Sequence, residues 1–451
     1  MHPNTPNHST SYRFIAGRAW PIILANSATP LLGLTDTAVI GRTGSIASLG
    51  AVAIGSLIFS FVYWTFGFLR MGTTGFVAQA HGAENELEVR TAIGRSVLMG
   101  VVIGLSLIVL QIPIFKLALY LLEGSEEVEA ITSSYLKLRI WGAPAALASY
   151  AIMGALIGLG RSKALLGVQV AMNTVNIGLD VLLAGYFGMG VKGIALGTMI
   201  AEWTAALLAL FLIIRILKER NLGDRNFWDW RRITDSTLLL KVFGVHFNIM
   251  IRTLCLLFGF GWFTQQGARL GDVQLAANHI LLQFISFSAF FLDGIAYATE
   301  ALVGAAAGAR KIDVFDTLVR RTTLLAGILA LTLSSGFLIF GNLAISALTD
   351  LALIREAAAT GLPFAALYIL LSFPTFQLDG IYIGTTRTSE MRNAGLIGLI
   401  AFLAIGWPLT HIYGNTGLWL AFIGFIILRA ASLMVFYPNL RKSIRKIDHE
   451  I

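Results

Sequence analysis

The chain has 451 residues, 56% of them hydrophobic and 13% charged, with 33 Lys and Arg against 25 Asp and Glu for a formal charge of +8. Soluble globular domains carry about 25% charged residues, so this composition leaves the water-soluble class. A single cysteine, Cys255, provides neither a disulfide framework nor a thiolate metal site.

Residues 1–12 (MHPNTPNHSTSY) are polar and lack the charged start, apolar middle and small-residue cleavage site of a signal peptide, so the first apolar segment is expected to be a retained span. Apolar runs long enough to cross a hydrocarbon core about 30 Å thick then recur to the end of the chain. They lie at 14–40, 46–70, 92–115, 133–158, 164–186, 193–217, 238–265, 275–305, 322–346, 358–384, 394–413 and 416–437. The expected fold is all-α and polytopic, with twelve transmembrane helices.

Span 1 carries Pro21 and Pro30, and proline removes a backbone hydrogen bond and kinks a helix. The same span carries Asp36, in LTDTAVIGRTG. A carboxylate at the centre of a membrane helix costs about 2.5–3.5 kcal/mol on insertion scales and normally faces a cavity and a partner. The bland alternative is a carboxylate at the outer helix end. Tyr135 enters span 4 from the outer side, after the acidic loop EGSEEVE. In span 5, Asn173, Asn176 and Asp180 fall three and four apart, on one helix face. Such a stripe will not point at lipid; it either glues helices together or meets Asp36. Thr198 and Glu202 are again four apart on span 6. These oxygens are hard ligands, suited to Na⁺ or a proton. Span 8 has Asp293 and Glu300 on one face, and span 10 has Asp379. These three acids either line a path for cations or cationic substrates or are satisfied locally.

The charges sort by side. With the N-terminus inside, 24 of the 33 basic residues fall on one side, including the run from Arg215 to Lys241 and the tail from Arg429 to Lys446. Five fall on the other. The positive-inside rule then places both termini in the cytoplasm. The basic excess is topological, and nucleic acid is not an expected partner.

Sliding the chain along itself gives matches at an offset of 226. Ile54 falls on Ile280, Gly82 on Gly308, Gly158 on Gly384 and Arg161 on Arg387; near the end the register slips by two, so that Gly190 meets Gly414. The halves are expected to be parallel, pseudo-symmetric six-helix bundles: an N-lobe over 1–217, a cytoplasmic linker over 218–240 and a C-lobe over 241–451. Transporters that alternate access are commonly built this way. The acid pair belongs to one half only, since at the same offset Asp36 meets Trp262 and Asp180 meets Gly406. Phosphate-cradling, GxSxG and HExxH motifs are absent from the sequence, so the expectation is a gradient-driven transporter rather than an enzyme.

Two six-helix halves, LTDTAVIG in span 1 and Asn176-x-x-x-Asp180 in span 5 resemble the multidrug and toxic compound extrusion (MATE) family, in its DinF-type branch. The resemblance covers nearly the whole chain. It implies a cation or proton site at Asp36, Tyr135, Asn176, Asp180 and Thr198. Asn173, Glu202, Asp293, Glu300 and Asp379 stand behind it as second-tier or cavity residues. It also implies antiport, in which hydrophobic and often cationic drugs leave as H⁺ or Na⁺ enters, with no cofactor beyond that ion. The other bacterial branch has a helix 7 acid that this chain lacks. Protonation of Asp36 is expected to shift helix 1 at Pro21 or Pro30 and release substrate. The expected setting is a bacterial plasma membrane, with the protein as a monomer. The alternative is a flippase for lipid-linked oligosaccharide or peptidoglycan precursors from the same superfamily.

Overall fold

The computed structural model describes residues 10–122, 125–220 and 227–446, and all of their regular structure is helical. In chain order the first half holds α1 (Tyr12–Ser27), α2 (Thr29–Thr43), α3 (Ile46–Thr65), α4 (Phe68–Gly82), α5 (Glu86–Val109) and α6 (Gln111–Leu122). It continues with α7 (Glu126–Arg139), α8 (Ala143–Gly158), α9 (Ser162–Leu179), a π-helical segment Asp180–Tyr186 and α10 (Gly190–Lys218). The short α11 (Trp230–Ile233) precedes α12 (Ser236–Arg269), α13 (Asp272–Gly308), α14 (Ile312–Leu348), α15 (Ala352–Gly384) and α16 (Thr388–Lys446).

Helix starts follow local chemistry. Ser45, Asn85, Ser125 and Asp229 each accept a hydrogen bond from the backbone N–H three residues on, satisfying a donor that the first turn leaves bare. Asp235 does the same for Leu238 and also binds Thr237, and the Thr237 hydroxyl foremost holds its carboxyl below the usual carboxylate range.

Among the described residues, ten helical stretches are long and apolar enough to span a bilayer. Large apolar side chains such as Trp64, Phe211, Phe258 and Phe340 point outward along them. That arrangement suits lipid rather than water, because nothing polar covers them. The expected twelve spans differ from these ten at the two ends of the chain. Span 1 is divided at Ala28 into α1 and α2, each too short to qualify alone. Spans 11 and 12 run together as α16, interrupted at Gly414, whose φ of 58° is tolerated by glycine.

The internal repeat is visible in backbone and packing. The stretches Ile46–Gly82 and Asp272–Gly308 correspond end to end at the 226 offset, as do Glu126–Gly158 and Ala352–Gly384. Residues with left-handed φ recur in the same register: Glu84 with Arg310, and Gly160 with Thr386. Gly190 and Gly414 repeat the two-residue slip. Helix crossings repeat too. A Cβ on Gly154 would collide with the Arg70 carbonyl, and one on Gly380 would stand 2.7 Å from that of Ala296. Only glycine lets α8 close on α4, and α15 on α13, at these positions.

Packing divides the chain into two bodies. One holds Leu24–Phe243; the other joins the segment ending at Ile23 to the segment beginning at Gly244. In the second body Ile23 rests on bare Gly294 of α13, and Arg321 donates to the Thr10 carbonyl at 2.6 Å. In the first body the basic connection is strapped to α5. Arg90 donates to the carbonyls of Leu217 and Arg220, and Arg95 to that of Arg232, while Arg220 pairs with Glu86.

Candidate functional site

Asp36 on α2 and Asp180 at the start of the π-helical segment are 5% and 0% exposed. Their carboxyl groups lie within hydrogen-bonding reach of one another. Asp36 Oδ1 and both oxygens of Asp180 are buried and receive no donor among the described residues. The π-helical geometry begins at Asp180 itself, and insertions of this kind frequently mark functional sites. Gly197 of α10 makes the room: a Cβ there would stand 2.5 Å from Asp180 Oδ1. Neighbouring carboxylates about 4 Å apart repel by roughly 4 kcal/mol at an effective dielectric of 20. Such a pair is therefore stable only when it shares a proton or holds a cation.

One turn before Asp180, buried Asn176 donates from Nδ2 to Thr198 Oγ1 at 3.1 Å, and Thr198 donates onward to the Ile194 carbonyl at 3.0 Å. Asn176 Oδ1 has no partner among the described residues. The expected grouping of Asp36, Asp180, Asn176 and Thr198 is thus present as an acceptor-rich cluster between α2, α9 and α10.

Tyr135 is buried nearby but bonded elsewhere. Its hydroxyl accepts from Arg139 Nη1 at 2.7 Å and lies 3.3 Å from Ser56 Oγ, and its ring fills the space over bare Gly55. It faces Asp36 electrostatically, and its partner Arg139 acts on both acids. Arg139 also lies 3.8 Å from Glu202 and stacks over Phe59 at 4.5 Å. Glu202 accepts a hydrogen bond from Tyr63 at 3.5 Å. This Arg139–Glu202–Tyr63 group is an extension that the stripe on span 5 did not signal, although Tyr135 and Arg139 stand four apart on α7. Arg139 acts electrostatically on Asp36, Asp180 and Glu202, and Arg70 acts on Tyr150 beside the same group.

Asn173 does not join the acids. It donates from Nδ2 to the Ala28 carbonyl at 3.0 Å and accepts from Gln169 at 3.3 Å. It holds the point where helix 1 breaks. Pro21 sits inside α1, which continues past it, whereas Pro30 occupies the first turn of α2. Pro30 has no N–H to give the Asn26 carbonyl, so the ladder fails in the preceding turn; its side chain lies outside the described residues.

The remaining acids belong to the other body. Asp293 and Glu300 on α13 both have polar partners. Asp379 on α15 accepts at Oδ2 from Arg252 and from Arg429, the latter at 3.1 Å. Arg429 is buried, so it does not belong with the exposed basic tail in which the charge count placed it.

The MatE family model matches the chain twice, over residues 21–182 and 248–407. The chain belongs to the MATE family. The two matches begin 227 residues apart and end 225 apart, the spacing of the repeat. The chain is similar to DNA damage-inducible protein F of Escherichia coli K12, at 38% identity over 428 residues, 93% of this chain and 90% of the relative. It is similar to a probable multidrug resistance protein NorM of Agrobacterium fabrum, at 26% identity over 94% and 92% of the two chains. Its fold is that of a MATE protein crystallised in a bent conformation, with a TM-score of 0.87, 18% identity and 96% of each chain covered. MATE proteins are transporters, and this chain is a multi-pass membrane transporter of the DinF branch rather than an enzyme.

Proposed function

We propose that the protein exports hydrophobic and cationic compounds by secondary active antiport, taking up H⁺ or Na⁺ in exchange through alternating access. The observation that carries this reading is the buried Asp36–Asp180 pair, whose bare oxygens accept a proton or a cation but are unsatisfied without either. Relatives named for multidrug resistance support the substrate class.

In the ionised state the pair, with Asn176 Oδ1 beside it, attracts a positive group. A proton arriving from outside cancels charge at Asp36, weakens that attraction and frees a cationic cargo. The pair thereby exchanges one positive charge for another. Inward movement of the entering charge is favoured by about 2.3 kcal/mol per 100 mV of membrane potential. The break at Ala28, held by Asn173, is where α2 moves relative to α1 as the charge on Asp36 changes. The working arrangement is a monomer in a bacterial plasma membrane with both termini in the cytoplasm.

Proteoliposomes containing the purified protein and ethidium separate the coupling ions. Imposed alone, a pH gradient or a sodium gradient is expected to drive ethidium against its own concentration. Movement under neither gradient would remove the antiport reading.

A further inference from the structure

In the body that begins at Gly244, three charged side chains from three helices converge: Arg252 of α12, Asp379 of α15 and Arg429 of α16. Their side chains are 11%, 7% and 4% exposed. Both guanidinium groups donate to the same oxygen, Asp379 Oδ2. Among the described residues, Asp379 Oδ1 receives no donor and buried Arg252 Nε meets no acceptor. Arginine stays charged at any accessible pH, so the triad carries one positive charge in excess. One arginine would neutralise Asp379. The second has no such explanation, and an uncompensated intramembrane arginine is costly and normally functional.

The seat for these arginines is built into α16. A Cβ on Gly398 would stand 2.6 Å from Arg429 Cγ, and one on Gly395 would stand 3.4 Å from Arg252 Cα. Arg429 also lies over the Phe425 ring at 5.7 Å. A coupling cation would meet net positive charge here, the reverse of the interior around Asp36.

We propose that this triad binds the anionic head, a carboxylate, sulfonate or phosphate, of an amphipathic organic anion whose apolar body lies in the surrounding membrane-embedded protein. On the transport reading above, the second body thereby admits anionic and zwitterionic cargo, while the first exchanges positive charge. A guanidinium paired to a charged oxygen forms a strong charge-assisted bond, so losing one weakens binding by about tenfold or more.

The test uses the full chain in phosphatidylcholine nanodiscs and two fluorescent probes. These are 8-anilinonaphthalene-1-sulfonate and N-phenyl-1-naphthylamine, the same ring system without the sulfonate. Arg252→Gln and Arg429→Gln are expected to weaken sulfonate binding at least about tenfold, while binding of the neutral probe stays within about twofold of wild type. Arg252→Lys, which keeps the charge, retains most of the sulfonate affinity. Unchanged sulfonate binding in both glutamine variants overturns the proposal. A parallel fall of both probes also overturns it, since the arginines would then be supporting the fold. Repeating the titration with phosphatidylglycerol in the disc identifies the natural anion at a site so established: competition indicates a lipid phosphate, and its absence a soluble cargo. Because binding is read without transport, intact sulfonate binding beside failed ethidium exchange leaves this site standing and removes only the antiport reading.

Discussion

Asp36→Asn is expected to reduce ethidium efflux from energised cells to the background of cells lacking the transporter, with normal amounts of protein in the membrane. Asparagine preserves size and hydrogen-bonding capacity but cannot exchange charge. The native carboxylate receives no donor at Oδ1 and stands beside a second carboxyl. Removing its charge relieves repulsion with Asp180 and gives up the attraction of Arg139, two effects of opposite sign, so the melting temperature of the purified variant should stay close to that of wild type. Loss of transport without loss of stability separates an exchanging group from a structural one. Undiminished efflux at normal expression would dispose of the charge-exchange mechanism.

The second large effect is expected at a residue with no chemistry of its own. Gly197→Ala places a methyl group 2.5 Å from Asp180 Oδ1, 3.3 Å from Leu179 Cβ and 3.4 Å from the Asp180 backbone nitrogen. The carboxyl must turn away or α10 must retreat from the π-helical segment. Overpacking of this kind costs about 1–3 kcal/mol, and displacing the carboxyl should cut efflux about tenfold or more, since small misplacements of reacting groups carry penalties of that order. Gly178→Ala, in the same stretch with open space around its Cβ, should leave transport intact and change stability by no more than about 0.5 kcal/mol. Equal behaviour of the two variants would show that the cluster tolerates a shifted Asp180.

The convergence of Asp36 and Asp180 was legible because an intramembrane carboxylate needs a partner, and the longest polar stripe in that half, Asn173, Asn176 and Asp180, contained one. The grouping of Asn176 with Thr198 came with the family resemblance and not from the stripe, since the two residues lie on different helices. The use of Asn173 was not legible: its spacing matches that of Asn176, but its partner is a backbone carbonyl exposed by a helix break about two turns away from the acids. Periodicity cannot report a π-helical segment, which turns Asp180 relative to an ideal α-helix. The Arg252–Asp379–Arg429 triad joins residues 127 and 50 positions apart, and no local pattern connects them. Arg429 stands near the end of the last apolar run, where charge counting assigned it to the tail; only packing shows it buried. The repeat, by contrast, was readable almost to the residue, because glycines at tight helix crossings are not interchangeable with other side chains.

The central claim is that the Asp36–Asp180 pair trades a proton for positively charged cargo. Proton release on ethidium binding tests it most directly, measured with a pH indicator in weakly buffered detergent solution near neutral pH. Wild-type protein should release roughly one proton per ethidium bound, as expected when a coupled acid pair loses its shared proton to a cation. Asp36→Asn and Asp180→Asn should each release almost none. Ethidium binding to wild type with no proton released, or equal release from either variant, would contradict the account.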